Sequence, residues 1–205
     1  MEVEIIRNKD ELDQVKPFFI EHLLWGTESI PKTYGYIGFV PEEGFYIKMI
    51  CEEKDPLRIY TKDKDPVYRD SAVEAFLMFE SEKERSGAAP YLNLEMNANG
   101  VLLAAYGRGR TYRTYFPDTD YKAFGCKAEI EKERWSVSVN VPLSVLAEVY
   151  GPLQIDEGSQ FACNFYKISE HEKYEHYAAY APINTETPDF HRPEYFETAI
   201  LRRMD

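Results

Sequence analysis

No run of apolar residues in this 205-residue chain approaches the roughly 20 needed to cross a bilayer, so it contains no helical membrane span. Cysteine is scarce. The three present, Cys51, Cys126 and Cys163, form neither an even set nor a metal-ligand spacing, and they read as reduced thiols rather than a disulfide framework. Of four histidines, His171 and His176 sit five apart in a charged segment, which does not match zinc spacing. Basic charge is also short. With 24 Lys and Arg against 36 Asp and Glu, the net charge of -12 opposes a phosphate backbone and argues against a nucleic-acid partner. One local exception, where Arg108, Arg110 and Arg113 alternate with Tyr112 and Tyr115, reads as a basic hairpin loop rather than a base-stacking strip. Nucleophile elbows, Walker loops and Gly-rich dinucleotide turns are missing too, and Gly107 to Arg110 is too short and too basic to stand in for one. The acidic start, Glu2 and Glu4 before Ile5 and Ile6, lacks the basic region of a signal peptide. A cytoplasmic protein is therefore expected from the chain as it stands, although a secreted chain after processing would read the same way.

What is present is a globular balance of 44% hydrophobic and 29% charged residues, with aromatic content of 15% that includes 16 Tyr and 12 Phe. Tyrosine offers an apolar face together with a hydroxyl, which suits sugars, but strands favour aromatics as well. No composition shift divides the chain. One domain over residues 1–205 is expected, with residues 1–24 as an N-terminal segment packed on it.

The periodicity is that of strands. Gly44 to Cys51 alternates, with Phe45, Ile47, Met49 and Cys51 on one face. Ser71 to Phe79 is almost wholly apolar except for Glu74, as in a strand covered on both faces. Tyr91 to Asn97 separates Leu92, Leu94 and Met96 from Tyr91, Asn93, Glu95 and Asn97, and Asn99-Gly100 then supplies a hairpin turn into Val101 to Tyr106. Arg134 to Val141, Phe161 to Ile168 and Ala199 to Arg202 extend the set. Helix is confined to a poor pattern after Asn8 and one turn over Ser144 to Tyr150. With no alternation of strand and helix, the fold class is all-β, an antiparallel β-sandwich. Pro182 to Pro193 reads as a long surface loop of the kind that carries function.

Glu74 and Glu95, on neighbouring strands, are the one pair of carboxylates suited to an acid and base or nucleophile, and a glycosidase is the enzymatic alternative. Sugar-binding sites use carboxylates as well, to accept from pairs of hydroxyls. The polar face shared by Glu95 and Asn97 leads to the expectation that Glu74 is an ionised acceptor, not a proton donor. A haem site would need a convergent Met or His pair, and none is evident; a protein-interaction domain is the other alternative.

Four blocks, Asp70-Ser71-Ala72-Val73-Glu74-Ala75-Phe76-Leu77, Tyr91-Leu92-Asn93-Leu94-Glu95-Met96-Asn97-Ala98, Cys163-Asn164-Phe165-Tyr166-Lys167 and Asp189-Phe190-His191-Arg192-Pro193-Glu194-Tyr195-Phe196, resemble in order those of the family 9 carbohydrate-binding modules. The resemblance covers Trp25 to the C-terminus. It implies a jelly-roll-like sandwich that binds a mono- or oligosaccharide between two aromatic rings, usually tryptophans, without cutting it. Carried over by position, the clamp falls on Tyr68 and Tyr180. Glu74 takes the place of the hydroxyl-binding acid and Asn97 that of a polar contact. Glu95 stands where sugar-binding members carry Arg, and Arg108 or Arg110 would help fix hydroxyls. Members of the family also carry structural calcium, whose ligands the sequence does not single out.

Overall fold

The computed structural model describes residues 1–79 and 89–203. Fourteen strands follow one another as β1 (Glu2–Ile5), β2 (Phe18–Ile20), β3 (His22–Leu23), β4 (Thr33–Val40), β5 (Gly44–Cys51), β6 (Ala72–Met78), β7 (Tyr91–Asn97), β8 (Leu102–Gly107), β9 (Thr114–Tyr115), β10 (Lys127–Ile130), β11 (Trp135–Pro142), β12 (Gln160–Ser169), β13 (His176–Ala179) and β14 (Glu197–Arg203). Two short helices, α1 (Asp118–Phe124) and α2 (Leu143–Tyr150), interrupt them. The main hydrogen-bonded path runs β10-β11-β5-β4-β1-β14-β12-β6-β7-β8-β9 and curls on itself. Its two halves face each other across one core, where Phe45 of β5 meets Phe161 of β12 at 5.0 Å between ring centroids and Phe18 of β2 stacks on Phe165 at 3.9 Å.

Alternation decides which face of each strand enters that core. On β11, Trp135, Val137, Val139 and Val141 are all buried, and they oppose Cys51, Met49, Ile47 and Phe45 of β5 in register. The β6–β7 sheet has the same parity but two covered faces. Val73, Ala75 and Leu77 with Leu92, Leu94 and Met96 point into the main core, while Phe76 and Tyr91 point outward into a second apolar layer with Tyr166, Tyr177 and Phe190. The Asn99-Gly100 turn forms as expected, with Gly100 at φ 74°, a conformation that costs glycine little.

The all-β, mostly antiparallel sandwich forms as expected, with one departure, in that β1 pairs in parallel with both β4 and β14. For the same reason residues 1–24 are not a segment laid on the domain: β1 is a central strand, β2 pairs with β4, and β3 pairs with β13. The pattern after Asn8 makes only a 3-10 turn over Lys9–Gln14, in which the Asn8 side chain caps the Asp10 N–H. α1 has no apolar periodicity long enough to announce it; Tyr121 and Phe124 anchor it to the core, and Gly125 at φ 55° ends it.

Candidate functional site

The outward face of β6, β7 and β8 carries a cavity of about 220 Å³. Its floor holds Glu74 of β6 with Asn93 and Glu95 of β7, three side chains that parity sends away from the main core. Its walls are aromatic: Trp25, Tyr68, Tyr115 and Tyr177 all border it, and Phe190 and His191 from the long loop after Pro182 close one side. Two hollows more than twice as roomy are chemically less suited to a ligand. One, of about 580 Å³, lies over Glu53, Ser71 and His176, whose polar atoms already bond among themselves through the buried Lys167. The other, of about 520 Å³, is framed by the N-terminal segment and Glu197.

Glu74 and Glu95 are register partners on adjacent strands, so their β-carbons stand about 4.5 to 5.5 Å apart on the same face. They are 3% and 5% exposed. Glu95 accepts a 2.8 Å hydrogen bond from the Asn93 amide, whereas Glu74 has no hydrogen-bond or ion-pair partner among the described residues. Burial, then the facing carboxyl of Glu95 and that of Glu170, holds Glu74 well above the ordinary carboxylate range against the pull of Arg110. Burial likewise lifts Glu95 to about 7, although the Asn93 amide and Arg113 work against it. The expectation of an ionised Glu74 is therefore overturned: polar neighbours on one face do not offset removal from water and a second carboxyl alongside. Both acids rise from one floor of the cavity, on adjacent strands.

Arg113 shapes the wall. Its guanidinium lies 4.3 Å from the Tyr91 ring centroid, and its N–H groups donate to Asn93 Oδ1 and to the Tyr91, Ala105 and Gly109 carbonyls. Arg110 borders the cavity and donates to the Pro188 carbonyl, with Asp189 3.9 Å away. His191 pairs with the Tyr91 hydroxyl at 2.8 Å, and burial beside Arg113 and Arg110 lowers it to about 3, so it is neutral.

Of the residues singled out from sequence, Tyr68, Glu74, Glu95 and Arg110 meet at this cavity, and Tyr180, Asn97 and Arg108 do not line it. Tyr180 is displaced by pleat parity. Tyr177 and Ala179 face the outer layer, so Ala178 and Tyr180 face the core side, where Tyr180 packs edge-on against Phe18 and Phe165. A clamp of Tyr68 with Tyr180 is thus not formed. Asn97 has the right parity but sits at the strand end, where its amide donates to Asp70 and the Tyr60 carbonyl and accepts from the Asn99 and Val101 N–H groups. All its bonding capacity holds the turn. Arg108 is exposed on the β8–β9 connection. Asn97→Ala should therefore cost about 1 to 3 kcal/mol of stability through the groups it leaves unpaired, lowering the melting temperature by several degrees. Sugar affinity should stay as it was, and weaker binding with unchanged melting would return Asn97 to the site.

Trp25, Asn93, Arg113, Glu170 and Tyr177 border the cavity without having been predicted. Parity alone places Asn93 beside Glu95. The signal at Trp25 was its rarity: the chain has two tryptophans, and Trp135 falls in an alternating core strand. Trp25 is held at φ 50° by a turn into Gly26, and its indole N–H donates to Thr185. As for calcium, among the described residues no group of three or more His, Cys, Asp or Glu is placed to hold a metal ion. Asp120 Oδ2 is buried without a hydrogen-bond partner, but no oxygen cage of carboxylates gathers round it.

The family model for carbohydrate-binding family 9 matches residues 11–201. No curated protein matches the chain in sequence. Among solved structures, the fold is similar to that of a Bacteroides uniformis protein described as a carbohydrate-binding one, with TM-score 0.80, 18% identity and 98% of each chain covered. It is also similar to a family 9 carbohydrate-binding module from Caldicellulosiruptor kristjanssonii solved with cellotriose, with TM-score 0.68 and 12% identity over 100% of this chain and 94% of that one. A glucose complex from the same organism gives TM-score 0.65 and 13% identity over 100% and 96%.

Proposed function

The chain belongs to carbohydrate-binding family 9, it binds carbohydrate without cleaving it, and we propose that the sugar sits in the cavity on the outward face of β6, β7 and β8. The observation that carries this reading is the buried, unpartnered Glu74 on a floor walled by aromatic rings. Pyranose rings present C–H faces that pack on Trp25 and Tyr68, and hydroxyls that pair with the floor. A cavity of about 220 Å³ lies below the roughly 300 to 1,000 Å³ typical of drug-sized ligands, so it suits one ring or a chain end. The solved relatives with glucose and cellotriose support a sugar of that size.

Protonated, Glu74 donates as well as accepts, and Glu95 accepts while held by Asn93. Nothing in this arrangement asks either acid to transfer its proton to a leaving group. Titration calorimetry against mono- and oligosaccharides, alongside a glycan array, should show saturable binding. Aryl-glycosides should show no turnover in the parent, in Glu74→Gln or in Glu95→Gln. Turnover in the parent that disappears in either variant would replace the binding reading with a glycosidase.

A further inference from the structure

Charge in the cavity is unevenly committed. Arg113 spends its N–H groups on Asn93 and three backbone carbonyls and lies over Tyr91, and Arg110 turns to Pro188 and Asp189. Both cations are therefore directed into the walls. Glu74, Glu95 and Glu170 border the same space, and among the described residues none of them has an ion-pair partner. No lysine among those residues lines it.

A neutral hexose offers the floor no charge, so the carboxyls of Glu74 and Glu95 stay protonated beneath it. An ammonium has three donors and a full charge; a hydrogen bond with an ionised donor or acceptor is roughly twice as strong as a neutral one, so it gains even on a protonated carboxyl and favours ionisation of the acid it faces. The surrounding Trp25, Tyr68 and Tyr177 rings also offer faces that attract cations. From the unpartnered Glu74 beneath aromatic walls we infer that the preferred ligand is an amino sugar, a hexose carrying a free ammonium, seated with its nitrogen between Glu74 and Glu95. This assignment rests on the sugar-binding reading of the same cavity and narrows its substrate class.

The test compares glucosamine, glucose and N-acetylglucosamine by titration calorimetry at about pH 6, below the range near 8 where an amino group gives up its proton. Glucosamine should bind at least about tenfold more tightly than either neutral sugar. The preference should collapse in Glu74→Gln, which keeps the side chain's size and an acceptor but removes the carboxyl that can ionise against the ammonium, and circular dichroism of that variant should match the parent. Glucose carries a hydroxyl of nearly the same size in place of the ammonium and so separates charge from shape, while N-acetylglucosamine keeps the nitrogen without its charge. If glucose or N-acetylglucosamine binds as well as glucosamine, the amino-sugar assignment is wrong and the sugar-binding reading stands. Should no sugar bind to the parent or on an array, the reading of the cavity as a sugar site fails with it.

Discussion

Glu95→Gln is expected to melt at a higher temperature than the parent at about pH 8, by roughly 6 to 12 °C, and to lose most of that advantage at about pH 5. In the folded protein burial holds the Glu95 carboxyl at about 7 from an ordinary value of 4.5, so between those pH values the folded chain keeps a proton that the unfolded chain has released. The folded state then binds more protons, and stability falls as pH rises through that window. The shift corresponds to a destabilisation on the order of 3 kcal/mol, present in full above pH 7 and largely absent near pH 5. Glutamine keeps the acceptor that takes the Asn93 hydrogen bond and has no charge to desolvate. It also presents a donor toward Glu74 across the strand pair. Melting curves of parent and variant at the two pH values settle the point; equal melting at pH 8, or a drop in the variant, would show that the pair is not strained by its burial.

The same two carboxyls show how far pattern reaches. Alternation along Tyr91–Asn97 was enough to put Asn93 and Glu95 on one face and Leu92, Leu94 and Met96 on the other, because the side-chain period of a strand is strict. It was not enough to say which polar residues on that face meet a cavity. Asn97 shares the parity of Glu95 but lies where the strand turns, and its amide is consumed by Asp70 and by the Asn99 and Val101 N–H groups. Nor does polarity of neighbours predict protonation, since desolvation depends on what the loops place overhead, and Phe190 and His191 reach the site from nearly a hundred residues away. The parallel position of β1 was hidden for a related reason: Glu2–Ile5 is four residues long, and nothing local says which two strands will flank it. Family resemblance read the class of ligand correctly and misplaced one ring of the clamp, because Tyr180 and Tyr177 differ in parity as well as in position.

That parity difference separates two substitutions. Trp25→Ala should weaken sugar binding by about 2 kcal/mol or more, roughly thirtyfold, because a tryptophan wall supplies the largest apolar face the cavity has. Stability should change less. Trp25 is partly exposed, and alanine at φ 50° suffers the same backbone strain as the tryptophan it replaces, so the turn into Gly26 gains no new penalty. Trp25→Phe should recover part of the affinity by restoring an apolar ring, though not the indole N–H that ties the side chain to Thr185. Tyr180→Ala should do the reverse, lowering the melting temperature through lost packing on Phe18 and Phe165 while leaving affinity unchanged. Calorimetric titration and thermal unfolding of both variants read the two effects independently. Loss of affinity in Tyr180→Ala with none in Trp25→Ala would move the sugar out of the cavity over Glu74 and Glu95, and into the hollow framed by the N-terminal segment and Glu197.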